Sequence, residues 1–269
     1  MLLSLLAQLN SCRIWRLPLR VAGNRFQPPT LDRLVALSLV RMGLMGRQEL
    51  RLFRSLLRPG MTVVDVGANQ GVFTLFCADL VGPSGSVIAF EPDPEMFSIL
   101  CNNVKTNARH WVELHNLALG SQEGQLALRI SRLNRGDNRL IPSTRQTAVR
   151  QVAVPVATLD RVVNGRKVDL VKMDVQGWEC AVLKGMTALM ASPDPPWIHL
   201  EACPHLLREA GASFGEVQTI LHQHGYSLRE ADARHDPLDL DRIARLEGAL
   251  GYTNVLAVPS ARDARDAVS

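Results

Sequence analysis

Val63-Val64-Asp65-Val66-Gly67-Ala68-Asn69-Gln70-Gly71 reads as a buried apolar strand running into a tight turn and then a helix. Glycine at 67 lets a ligand approach the backbone beside Ala68, and Gly71 opens the helix Val72 to Val81 without a side chain in the way. Asn69 stands where many such loops carry glycine, and asparagine tolerates positive φ. Gly-Lys-Ser/Thr is absent and Gly-x-Gly-x-x-Gly is not completed, so a pyrophosphate is not the expected ligand. Asp65 instead supplies a carboxylate beside the turn, which suits a cationic amino-acid moiety. Glu91, in Phe90-Glu91-Pro92-Asp93-Pro94, ends the next strand, where an acid accepts hydrogen bonds from both hydroxyls of a ribose. Asn116, at the third strand end, offers an amide to the edge of a base. Partners for amino acid, ribose and base together point to S-adenosylmethionine as the ligand of Asp65, Gly67, Ala68, Asn69, Gly71, Glu91 and Asn116.

Methyl transfer from a sulfonium is an in-line displacement that needs the acceptor held near attack distance and its proton removed. Asp174 and Glu201 fall at the ends of the fourth and fifth strands, His199 shares strand parity with Glu201, and His205 follows in the next loop or helix. Asp174, Glu201 and His205 are the candidate bases; Asp174 equally suits the ammonium of the cofactor, and His199 equally suits the core. A magnesium or manganese ion on Asp174, Glu201 and His205 has suitable ligand types, but their spacing is no recognised metal signature, so transfer without a metal is the expectation. No Asn/Asp-Pro-Pro-aromatic turn follows the fourth strand, which favours a hydroxyl over a nucleobase amino group as acceptor. Trp178 stands where it either walls the acceptor pocket or packs.

These residues need strand ends to hold them. Strands are predicted at Thr62 to Val66, Ser86 to Phe90, Val112 to Asn116, Asp169 to Met173, Trp197 to Glu201, Tyr226 to Arg229 and Asn254 to Val258, with amphipathic helices mostly between them. This order demands a doubly wound α/β fold with a mainly parallel sheet, ligands binding beyond the carboxyl ends of its strands. The interval Gln125 to Val154 breaks the rhythm with strand-like ends around the polar loop Asn134 to Asn138, and reads as an insertion over the active site. Residues 1–60 read as a helical extension, with a helix from Leu31 to Leu57 that covers the substrate side, pairs two subunits into a homo-oligomer, or simply packs. Residues 61–260 form the catalytic domain, and 261–269 a disordered tail.

Composition narrows the partners. The net charge of +4 comes with scattered arginines and no basic run interleaved with aromatics, so nucleic acid is not expected. Five dispersed cysteines without a Cys-x-x-Cys pair fit a reducing cytoplasm rather than a disulfide or zinc framework. The apolar start, Met1 to Leu9, is too short to span a bilayer and lacks the positive flank of a secretory signal.

The chain also resembles the FkbM family of methyltransferases over about Val63 to Glu201. The resemblance is carried by Asp65 to Gly71, Phe90 to Pro94, Leu117-Ala118-Leu119-Gly120, Thr158-Leu159-Asp160, Val171-Lys172-Met173-Asp174-Val175-Gln176-Gly177 and Leu183-Lys184-Gly185. It implies a class I methyltransferase sheet of Rossmann-like type and O-methylation of sugars, polyketides or other natural-product scaffolds. Where the family usually shows Asp-Val-Glu-Gly, this chain carries Gln176, which removes a carboxylate. If that carboxylate is catalytic in relatives, Gln176→Glu should raise the rate, and the rival reading is a cofactor-binding protein with altered catalysis. A nicotinamide-dependent oxidoreductase is the same-fold rival, disfavoured by the incomplete glycine fingerprint.

Overall fold

The computed structural model describes residues 19–26, 46–130, 139–141, 150–231, 236–247 and 251–261. Met1 to Leu9, the part of the predicted helix Leu31 to Leu57 that precedes residue 46, the loop Asn134 to Asn138 and the tail after residue 261 lie outside the described residues.

Strands form at the centre where short Val-, Ile- and Leu-rich runs are buried on both faces, and farther out where apolar and polar residues alternate. In chain order they are β1 (Leu19–Val21), β2 (Asn24–Phe26), β3 (Thr62–Val66), β4 (Ser86–Phe90), β5 (Val112–His115), β6 (Ala118–Leu119), β7 (Gly124–Arg129), β8 (Arg139–Ile141), β9 (Gln151–Ala157), β10 (Leu170–Met173), β11 (Trp197–Ala202), β12 (Tyr226–Glu230) and β13 (Thr253–Pro259). The helices used below are α1 (Arg47–Leu56), α2 (Val72–Val81), α3 (Pro94–Thr106), α4 (Glu179–Lys184), α5 (Pro204–Glu209) and α6 (Phe214–Gln223).

The main sheet has seven strands in the order β12-β13-β11-β10-β3-β4-β5. β13 runs antiparallel to both neighbours, and the pairs from β11 through to β5 are parallel. From the central β3 the chain winds outward to β5 and then returns to β10, so the order reverses between β3 and β10. That reversal opens a crevice at the carboxyl ends of these two strands. Strand parity divides the core. Val64, Val171, Ile198 and Leu200 face α4 and α6, whereas Val63, Leu170 and Leu256 face Leu52 and Phe53 of α1 and Phe76 of α2. All seven predicted sheet strands are present, with ends shifted by no more than a residue or two.

Two features add to the expected plan. β1 and β2 form a hairpin whose two turn residues, Ala22 and Gly23, both have positive φ, the geometry that two-residue hairpins favour. Its Val21 and Phe26 are buried against Ala68, Leu75 and Leu100, so the N-terminal extension is not purely helical and packs on the main domain. A second sheet, β6-β9-β7-β8, occupies the predicted insertion. Its cross-strand pair Leu128 and Leu140 reaches the crevice.

Candidate active site

The crevice at the strand reversal is a pocket of about 610 Å³, counting space open to solvent. Its polar wall comes from Gly67, Asn69, Glu91, Asp174 and Gln176, and its apolar wall includes Leu117, Leu119, Leu128 and Leu140. The turn after β3 is fastened on one side to β4, because the N–H groups of Gly67 and Ala68 both donate to the Phe90 carbonyl, at 3.0 and 2.9 Å. Asn69 adopts φ of 54° as expected. Gly67 is required for a reason the sequence did not show: a Cβ there would fall on the Asp174 carbonyl oxygen. At Gly71, φ is 90°, a conformation that strains any residue with a side chain, and a Cβ would also press on Leu100 Cδ1 of α3 at 2.6 Å.

Glu91 lies at the edge of the pocket, at the end of β4. Its carboxylate accepts from Asn69 N–H at 2.7 Å and from Asp93 N–H at 2.9 Å, which fixes both oxygens at the pocket edge. Asp65 does not lie there. It is buried away from the pocket, paired with Lys172 Nζ at 3.1 Å and accepting from Thr74 Oγ1 at 2.6 Å, because its strand parity points it under α2. Asn116 is also corrected: its amide nitrogen donates to the Glu91 carbonyl at 2.8 Å and secures the loop after β4, while the adjacent Leu117 to Leu119 line the pocket.

At the reacting end, Gln176 is the residue that sequence reasoning undervalued. Its Nε2 donates to Asp174 Oδ1 at 2.8 Å and to Glu201 Oε2 at 3.0 Å, so one neutral amide bridges two carboxylates. Its φ of 53° is unusual for glutamine, and the two bonds help hold it there. Asp174 and Gln176 face the pocket, with Glu201 behind them. Burial first, then the charges of Asp174 and Glu179, push Glu201 up to about 8. Burial likewise pushes Glu179 up to about 7.

The remaining candidates stand apart. His205 on α5 is half-exposed and pairs with Glu209 at 3.4 Å, one helical turn on. His199 is buried, edge-on to Phe53 at 5.2 Å between ring centres, and pushed down to about 3 by burial and then by Lys172. Among the described residues no three His, Cys, Asp or Glu side chains converge as a metal site, so Asp174, Glu201 and His205 do not form one. Sequence reasoning also missed the surroundings of Glu201. Register sets Asn254 opposite it, Asn254 Nδ2 donates to Glu49 Oε1 of α1 at 2.6 Å, and the exposed Tyr252 stands just before β13 at the same sheet edge.

The two raised carboxyls make stability depend on pH. Each holds its proton more tightly folded than unfolded, so the stabilisation is complete below the ordinary carboxylate range and is lost as pH rises through about 7 and 8. The melting temperature is therefore expected to fall between pH 5 and pH 9, and Glu179→Gln should flatten that fall. A flat wild-type profile by scanning calorimetry would refute the shifts.

The sequence model of the methyltransferase FkbM domain matches residues 65–228. Methyltransferase 1 of Beauveria bassiana is 26% identical over 198 residues, covering 66% of this chain and 77% of that protein. The 31-O-demethyl-FK506 methyltransferase FkbM of Streptomyces tacrolimicus is 28% identical, over 68% of this chain and 77% of its own. Methyltransferase sdnD of Sordaria araneosa is 30% identical, over 65% of this chain and 77% of its own. No helix among the described residues is long and apolar enough to cross a membrane. With the family's domain spanning both walls of the crevice, on a class I methyltransferase sheet, the chain belongs to the FkbM family of methyltransferases.

Proposed function

We propose that the chain is an S-adenosylmethionine-dependent O-methyltransferase acting on a hydroxyl of a small molecule, of the sugar or natural-product kind. The observation that carries this reading is the row Asp174, Gln176, Glu201, which begins in the pocket wall and ends in a carboxyl poised to take a proton. The donor set fits the cofactor: a carboxylate fixed by two backbone N–H groups for the ribose, a leucine-lined wall for a flat base, and Asp174 for an ammonium. Bound S-adenosylmethionine supplies an electrophilic methyl on a sulfonium. Glu201, whose proton affinity lies close to working pH, accepts the proton of the acceptor hydroxyl, and Gln176 orients both carboxylates. Burial raises the pKa of Tyr252, which stands close enough to Glu201 and Glu49 for their charges to raise it further. That one relative is named as an O-demethyl-FK506 methyltransferase supports oxygen as the acceptor atom.

Calorimetry with S-adenosylhomocysteine and with NAD, followed by transfer of labelled methyl to a panel of sugars and polyketide alcohols, tests this reading. Binding of the first ligand alone and an O-methyl product are expected. NAD binding, or methylation at nitrogen, would overturn it.

The geometry reverses the sequence expectation for Gln176→Glu. A third carboxylate would lose both hydrogen bonds and raise the proton affinity of Glu201 further, so turnover at neutral pH is expected to drop by about tenfold or more. The pH–rate midpoint should move upward with it. A faster variant would show that the family's carboxylate acts directly.

A further inference from the structure

Asp65, Lys172 and His199 lie side by side across β3, β10 and β11, because the register sets Lys172 opposite Asp65 on one side and His199 on the other. All three are buried. The Lys172 ammonium sits 3.1 Å from Asp65 Oδ1, donates to the Gly67 carbonyl at 3.2 Å and lies 5.3 Å from the centre of the Phe73 ring. Burial opposes its charge, but Asp65 and Asp174 outweigh that and hold its pKa above the ordinary lysine value.

Stability alone is a poor account of such a group. Replacing a buried ion pair by well-packed neutral residues is often neutral or stabilising. What sets this pair apart is its second bond, to Gly67. The N–H groups of Gly67, Ala68 and Asn69 tie the turn to β4 and Glu91. Across the crevice, Lys172 ties its carbonyl side to β10, two residues before Asp174. The turn has positive φ at Gly67, Asn69 and Gly71.

We propose that Lys172 is a positioning residue for the cofactor turn: its ammonium holds the Gly67 carbonyl and so sets the turn against Asp174, with Asp65 as its buried counter-ion rather than a ligand contact. The inference rests on the reading that this turn holds S-adenosylmethionine. It also gives the acid at the end of β3 a role that acts through another residue.

Lys172→Met alone would strand a buried carboxylate and endanger the fold. The test therefore uses the full chain carrying Asp65→Asn together with Lys172→Met, with Thr74→Val as control. Thr74→Val removes a buried hydrogen bond to Asp65 but leaves the Lys172 to Gly67 bond intact. Both variants are measured for melting temperature, for S-adenosylhomocysteine affinity by calorimetry, and for amide hydrogen exchange of residues 67–71. Thr74→Val is expected to melt lower while keeping its dissociation constant within about threefold of wild type. The double variant is expected to bind about tenfold or more weakly and to exchange the turn amides about tenfold faster, whatever its melting temperature. A double variant that matches Thr74→Val in both affinity and exchange would overturn the proposal. If wild type fails to bind S-adenosylhomocysteine, the cofactor reading falls, and the exchange comparison still decides the role of Lys172.

Discussion

Glu201→Gln is expected to lower turnover by about two to four orders of magnitude, the range for removing a positioned general base. The substitution is nearly isosteric, and a glutamine oxygen at 201 can still accept the bond that Gln176 donates at 3.0 Å. Loss of rate would then report loss of the base rather than collapse of the row. Because Glu201 stands behind the pocket wall, affinity for S-adenosylhomocysteine should stay within a few-fold, on the order of 0.5 kcal/mol, as for substitutions that break no binding contact. Wild-type turnover should rise as pH passes through about 8, where the carboxyl ionises, and the variant should lose that rise. His205→Ala should stay near wild type, since its imidazole pairs with Glu209. Near-normal turnover of Glu201→Gln on a confirmed acceptor would remove the base assignment.

Glu91→Ala should weaken S-adenosylhomocysteine binding by about 1.5–3 kcal/mol, the range for hydrogen bonds to a charged group. Two losses combine. The ribose hydroxyls lose their acceptor, and the N–H groups of Asn69 and Asp93 lose the carboxylate that holds them at 2.7 and 2.9 Å. Glu91→Gln keeps an acceptor for one of them and should fall between the two. Calorimetry on the folded variants checks this, and unchanged affinity in Glu91→Ala would withdraw the ribose assignment.

The main sheet was legible because its strands carry either a run of apolar residues or an apolar–polar alternation between turn signals. β6 and β8, by contrast, have two and three residues, too few to show a period. The hairpin of β1 and β2 was missed because its turn is Ala22-Gly23 rather than the Asn-Gly or Asp-Gly that marks such turns. Among site residues, Gly67, Glu91 and Asp174 could be placed from strand ends alone. Asp65 could not, because its fate depends on Lys172, 107 residues away in sequence and neighbouring only through sheet register. Gln176 looked like a missing charge; only the fold brings Glu201 beside it and turns its amide into a bridge. The pairing of His205 with Glu209 was legible as a one-turn helical spacing, and would have weakened that histidine as a base.

The place of β13 has a practical consequence for anyone trimming this protein. A fragment cut to the part that carries the family likeness ends before residues 253–259, yet that strand is wedged between β11 and β12 inside the sheet. Such a fragment would stop inside β12, leave what remains of that strand with no neighbour in the sheet, and bare the β11 edge that carries Glu201. It would present an open, apolar strand edge of the kind that seeds self-association. The boundary of the family match and the boundary of cooperative folding therefore do not coincide in this chain, and a strand outside the match locks the sheet.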